Sequence, residues 1–160
     1  MQGQREEGIA QMRQGLAALR ATGAEIGRPY YLLLLAMAYA NAGQAEEGLT
    51  VLAEASEAVH RTGERGSEPG LCVLKGWLLL MRSVENLAET EACFLQAIDV
   101  ARRQGAKSLE LLAAISLSRL WQQGKKDEAR QMLAAVYNWF TEGFDTPGLQ
   151  EAKALLETLE

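Results

Sequence analysis

The sequence predicts an all-α fold of about eight antiparallel helices, and three observations point to it. Glu7, Glu47 and Glu89 are each followed sixteen residues later by a glycine (Gly23, Gly63, Gly105), and Glu128 is followed by Gly143 after fifteen, so one motif recurs about every forty residues. A period of that size marks stacked supersecondary units. Between these segments lie stretches with large apolar residues at three- and four-residue spacing, the periodicity of a helix with a buried face. Val, Ile and Thr are sparse and no Asn-Gly or Asp-Gly pair occurs, so hairpins have no support.

Taken in order, the expected helices are 4–22, 29–42, 44–62, 69–83, 87–104, 107–123, 125–142 and 147–159. The first, third, fifth and seventh are Glu-marked. Acids such as Glu6-Glu7 and Glu46-Glu47 near their starts suit the positive end of the helix dipole, and a glycine closes each. The second, fourth, sixth and eighth are richer in large apolar residues. Pro29, Pro69 and Pro147 stand in their first turns, where a missing N–H leaves no bond unmade. Asp145 or Thr146 is the expected N-cap of the last helix. The chain reads as one helical-repeat domain, 1–160, with repeats starting near 3, 29, 69 and 107 and a C-terminal capping helix at 147–159. It opens on a Glu-marked helix with no apolar partner before it, which predicts a portion excised from a longer protein.

Small and large residues alternate in register along both helix types. In the apolar helices the pattern is Leu35-Ala36…Tyr39, Lys75-Gly76…Leu79 and Leu117-Ser118…Trp121. In the Glu-marked helices Gly8, Gly48, Thr90 and Ala129 take the small position, with Met12, Leu52, Phe94 and Leu133 four residues on. Such pairs let helix layers interdigitate without voids. The code predicts Ala36, Gly76 and Ser118 buried at close helix–helix contacts.

These residues resemble the tetratricopeptide motif, best in Leu35-Ala36…Tyr39…Gly43…Gly48…Leu52…Ala55. The likeness spans essentially the whole chain, at a period near forty and not thirty-four, and is weakest where Glu85 replaces the turn glycine. It implies a right-handed α-α superhelix whose apolar helices line the concave face. The segments RQGAKSLELLAAISLSRLWQQGKKDEAR and WFTEGFDTPGLQEAKALLE are similar to the C-terminal repeat region of bacterial signalling proteins that join a class III nucleotide cyclase or a DNA-binding domain to a P-loop ATPase. That resemblance implies a sensor or protein-interaction arm. No G-x-x-x-x-G-K-[ST] phosphate loop and no cyclase carboxylate pair is present in the chain.

Composition narrows the chemistry. Apolar residues make up 48% and charged residues 23%, values typical of a soluble domain. The net charge of −5 and the scattered Lys and Arg oppose a nucleic-acid surface. The apolar run from Tyr30 to Ala40 is too short for the roughly 20 residues of a membrane span, and the polar start is no signal peptide. Cys72 and Cys93 are too few for a disulfide framework, so a reduced, cytoplasmic setting is expected. His60, the only histidine, lies near a helix end beside Arg61 and reads as a solvated cation. Adjacent acids on a helix point about 100° apart and do not converge. The chain therefore predicts no enzyme, metal or cofactor.

What remains is the surplus of apolar and aromatic residues on the apolar helices. The repeat register places Tyr30, Leu33, Met37 and Asn41 on the groove from the first pair, Val73, Trp77 and Leu80 from the second, and Leu112, Ile115, Arg119 and Gln122 from the third. Trp77 follows Gly76 at a position where the repeat needs no large side chain, and exposed Trp is enriched at binding hot spots. Three functions stay open: a module binding protein or peptide, a sensor holding a small apolar ligand in the groove, or a self-association surface forming a homodimer.

Overall fold

The computed structural model describes residues 2–160. It contains α1 (Gln2–Ala21), α2 (Arg28–Asn41), α3 (Ala45–Thr62), α4 (Glu68–Arg82), α5 (Leu87–Gln104), α6 (Lys107–Trp121), α7 (Lys126–Tyr137) and α8 (Pro147–Thr158). Short 3₁₀ turns, Arg65–Ser67 and Val84–Asn86, precede α4 and α5. Among the described residues there is no strand, and no helix is long and apolar enough to cross a membrane.

Seven helices match the expected spans closely. The exception is α7, expected to run to residue 142 but ending at Tyr137. The N–H groups of Trp139 and Phe140 reach only three residues back, to Val136 and Tyr137, a tightened turn of the kind that ends helices. Aromatic pairing then takes over. Tyr137 meets Phe144 (5.7 Å between centroids), Trp139 meets Phe140 edge-on (5.2 Å), and Lys107 Nζ lies 5.2 Å from the Trp139 ring centroid. At the other end, α1 begins before its marker, so Glu7 is not in its first turn, unlike Glu47, Glu89 and Glu128. Gly3 stands at the same offset before Glu6-Glu7 as Gly43 before Glu46-Glu47, but it lies within the helix, whereas Gly43 has a left-handed φ of 74° and makes a turn.

The periodic glycines have a backbone reason. Gly23, Gly63, Gly105 and Gly143 all have φ between 67° and 75°, the left-handed region where a Cβ is costly. Gly63 and Gly105 are the C-caps of α3 and α5, and their N–H groups bond back to Val59 and Ala101. The next connector also caps a helix: Glu64 accepts the Gly27 N–H through both carboxylate oxygens (3.1 and 2.9 Å) at the start of α2. Thr146 is the N-cap of α8, with extended backbone, although its hydroxyl donates to Gly143 O (2.7 Å) and does not bond the helix.

Every helix from α1 to α8 packs against its neighbours in sequence, and α2, α4, α6 and α8 also touch in succession to form one row. The small–large code governs these contacts. Ala36 and Ser118 are fully buried, and Ser118 Oγ donates to Ala129 O across to α7 (3.3 Å). A Cβ on Gly76 would lie 2.5 Å from Phe94 Cε1, and one on Gly48 would lie 2.9 Å from Leu78 Cδ1. Gly8 is the weak member: it is only half-buried and nothing crowds it.

The buried residues divide into two cores. The first joins Ile9, Leu32, Leu35, Tyr39, Val51, Leu52 and Val59 to Leu71, Leu74 and Leu78. The second joins Val73 and Phe94 to Leu111, Ile115, Leu117, Leu133, Leu149 and Leu155. Helix α4 serves both, because residues three and four apart share a face while Val73 points elsewhere.

Candidate binding groove

Where α4, α5 and α6 meet there is an open cavity of about 710 Å³. Its wall on α4 is Trp77 and Leu80; on α6 it is Leu112, Ile115 and Leu120. Phe94, almost wholly buried, reaches from α5 past Gly76 to form the floor, and Leu87 stands above it. Trp77 is 36% exposed, and its Nε1–H donates to Ser116 Oγ (3.0 Å), which itself donates to Leu112 O (2.9 Å). That chain of bonds holds the indole at a fixed angle, with its polar edge satisfied and a flank open. At the rim, Arg119 Nη2 pairs with Glu151 Oε1 (2.7 Å) from α8, beside Gln122 and Gln123.

The residues expected to line the groove fall into four groups. Trp77, Leu80, Leu112, Ile115, Arg119 and Gln122 surround this cavity. Tyr30, Met37 and Asn41 are exposed on α2 and do not border it. Leu33 is half-buried over the start of α4, its Cδ2 3.0 Å from where a Gly70 Cβ would stand. Val73 is a correction: it is 1% exposed and belongs to the second core with Leu111, Ala113 and Ala114. Alanines at 113 and 114 let α6 approach α4 at that turn and cover it.

Leu87 and Phe94 were not expected, because they stand on a Glu-marked helix and the repeat register assigns the groove to the apolar ones. The signal for Phe94 lay in the sequence, in a glycine on α4 opposite a bulky residue of the next helix. Glu151 had no comparable mark; its place follows from α8 lying against α6.

The two cysteines do not line this cavity; Cys72 lies beside Leu49, Leu52 and Lys75. Burial pushes the Cys72 thiol up to about 11, with Cys93 and Glu68 adding to the effect. Burial likewise raises Cys93. Both stay protonated thiols, which are poor nucleophiles. His60 is exposed in the last turn of α3. Among the described residues no three His, Cys, Asp or Glu side chains are grouped to hold a metal ion. Neither a protein-family model nor a curated protein matches the chain.

Proposed function

We propose that this chain is a non-enzymatic helical-repeat interaction module, a tetratricopeptide-like superhelix that takes a protein or peptide segment in its inner groove. In this reading it is the regulatory arm of a larger bacterial signalling ATPase or cyclase and works in the cytoplasm. The observation that carries the proposal is the cavity itself: about 710 Å³, apolar on its walls, with an oriented indole on one side and an ion pair on the rim. Hot spots are built this way, from an aromatic anchor in a largely desolvated setting ringed by polar groups. The successive contacts of α2, α4, α6 and α8 supply the continuous inner surface that repeat arrays use for binding.

Display selection with a random peptide library tests it. Peptides enriched on the parent chain should bind Trp77→Ala weaker by about 2 kcal/mol, roughly thirtyfold, with circular dichroism unchanged. Peptides that bind parent and variant equally would remove the groove from the site.

The same cavity favours one second reading, because its volume falls in the range of small-molecule pockets. A small apolar molecule co-purifying with the parent and lost from Trp77→Ala would select that sensor role. Self-association is separated from both by sedimentation, where a Trp77-dependent dimer would show as mass that falls on dilution.

A further inference from the structure

We propose that the junction of α1, α2 and α3 is a second binding site, one that takes a small monocarboxylate with a short apolar body. The site lies outside the groove and does not depend on the reading of the groove.

Arg28 is the starting point. Its side chain is only 6% exposed, and its Nη2 pairs with Glu54, while Nε and Nη1 are buried without a hydrogen-bond partner. A guanidinium carries five N–H donors and cannot shed its proton. Buried donors are satisfied almost without exception in folded proteins, and Glu54, itself 44% exposed, engages only one nitrogen. Arg28 borders two adjoining cavities, of about 200 and 320 Å³.

Charge distinguishes the two. The larger is lined by Arg20, Arg28 and Arg61 against Glu25, Glu54 and Glu57, and is balanced. There Arg61 already pairs with Glu25 (3.3 Å). The smaller has Arg13, Arg20 and Arg28 against Glu54 alone, so it carries a cationic excess on a chain that is acidic overall. Arg20 makes no ion pair among the described residues.

The remaining lining sets the ligand's other end. Leu16, Leu32, Leu35 and Val51 form an apolar floor. Helix geometry brings this about, since Arg13, Leu16 and Arg20 share one face of α1 and Arg28, Leu32 and Leu35 share one face of α2. A bare inorganic anion would leave that floor uncovered. At about 30 Å³ for each water-sized group, the smaller cavity of about 200 Å³ holds roughly seven such groups. A carboxylate with about four carbons behind it fits.

Pentanoate is therefore the probe, titrated into the full chain while the methyl resonances of Leu16, Leu32, Leu35 and Val51 are followed by NMR. Saturable shifts are expected from pentanoate and none from pentan-1-ol or inorganic phosphate. Arg20→Gln, at an exposed position, should weaken pentanoate roughly tenfold. Arg28→Met should abolish saturation; it removes one partner of the Arg28–Glu54 pair, but Glu54 is 44% exposed and its carboxylate can turn to water. If Arg28→Met does not fold, Arg20→Gln decides. Trp77→Ala should leave the titration unchanged, which separates this site from the groove. Absence of saturable shifts, equal shifts from pentan-1-ol or phosphate, or unaltered affinity in Arg20→Gln would overturn the proposal.

Discussion

At Gly76 the added methyl of an alanine would fall on the Phe94 ring, 2.5 Å from its Cε1. Phe94 is 1% exposed, so the ring can yield only by leaving its packed position for the cavity it floors. Gly76→Ala should therefore lower stability by about 1–3 kcal/mol, although alanine favours a helix by about 1 kcal/mol. At Gly15 nothing stands within 4 Å of the place an added methyl would take, and Gly15→Ala should raise stability by about 0.5–1 kcal/mol. Urea denaturation of both variants beside the parent gives opposite signs if the small–large register is right. Thr90 carries a different lesson. It fills the small position of its helix, fully buried, but its hydroxyl has no hydrogen-bond partner. Thr90→Val keeps the shape and removes the unmet polar atom, and should stabilise by about 1 kcal/mol in the same assay. The packing role of Thr90 was legible from its register. Its unsatisfied oxygen was not, because spacing in sequence says nothing of what faces a hydroxyl. Arg28 was missed for the same reason: beside Pro29 it reads as a helix start, and only the fold shows α1 and α3 closing over it.

Among the helices, those set by strong local chemistry were the most legible. Pro29, Pro69 and Pro147 open α2, α4 and α8 in their first turns, and left-handed glycines close α3 and α5. The end of α7 was lost because Trp139 and Phe140 continue the apolar spacing of the helix but are spent on ring contacts with one another and with Lys107. Lys107 also serves the turn from α5 to α6. There Arg102 Nε and Lys107 Nζ donate to the two oxygens of Glu110, at 2.6 and 2.7 Å, and the carboxylate is 3% exposed. Burial alone would raise this carboxyl, but the bonds from Lys107 and then Arg102 outweigh it and hold the group below its ordinary 4.5. A depressed folded value stabilises the fold above the unfolded value and ceases to do so as pH falls through the folded one. The contribution of Glu110 should thus be complete above pH 4.5 and fade below it. Glu110→Gln should cost about 1–3 kcal/mol at neutral pH and show a shallower loss of stability on acidification. Denaturation midpoints measured from neutral pH downward check both; a variant with the slope of the parent would clear Glu110 of that role.

For the molecule as a whole, the two cores meet only along α4, and they differ in how well they hold their ends. Ile9 is the sole buried residue described on α1, which packs chiefly on α2. Stability in such arrays is a sum of local units and the interfaces between neighbours, so α1 should open far more readily than α4 to α6. Native-state hydrogen exchange should find the least protected helical amides on α1 and the most protected on α4 and α6; equal protection throughout would mean one indivisible core. The order of helices was readable because each repeat announces itself locally. The groove was readable only in part, since Trp77 and Arg119 lie on the helices that the repeat register marks, whereas Leu87 and Glu151 arrive from elements whose placement depends on tertiary packing.

The contact pattern among the helices has a mechanical consequence. Helices α2, α4, α6 and α8 abut in succession, while the main contacts of α3, α5 and α7 run to their neighbours in sequence. Because α3, α5 and α7 each bridge the helices on either side of them, the stack is pinned along both edges and bends as a beam and not as a hinge. Under the proposed function, a segment seated against Trp77 between α4 and α6 would change the angle between those helices and, through α5, which packs on both, the curvature of the array.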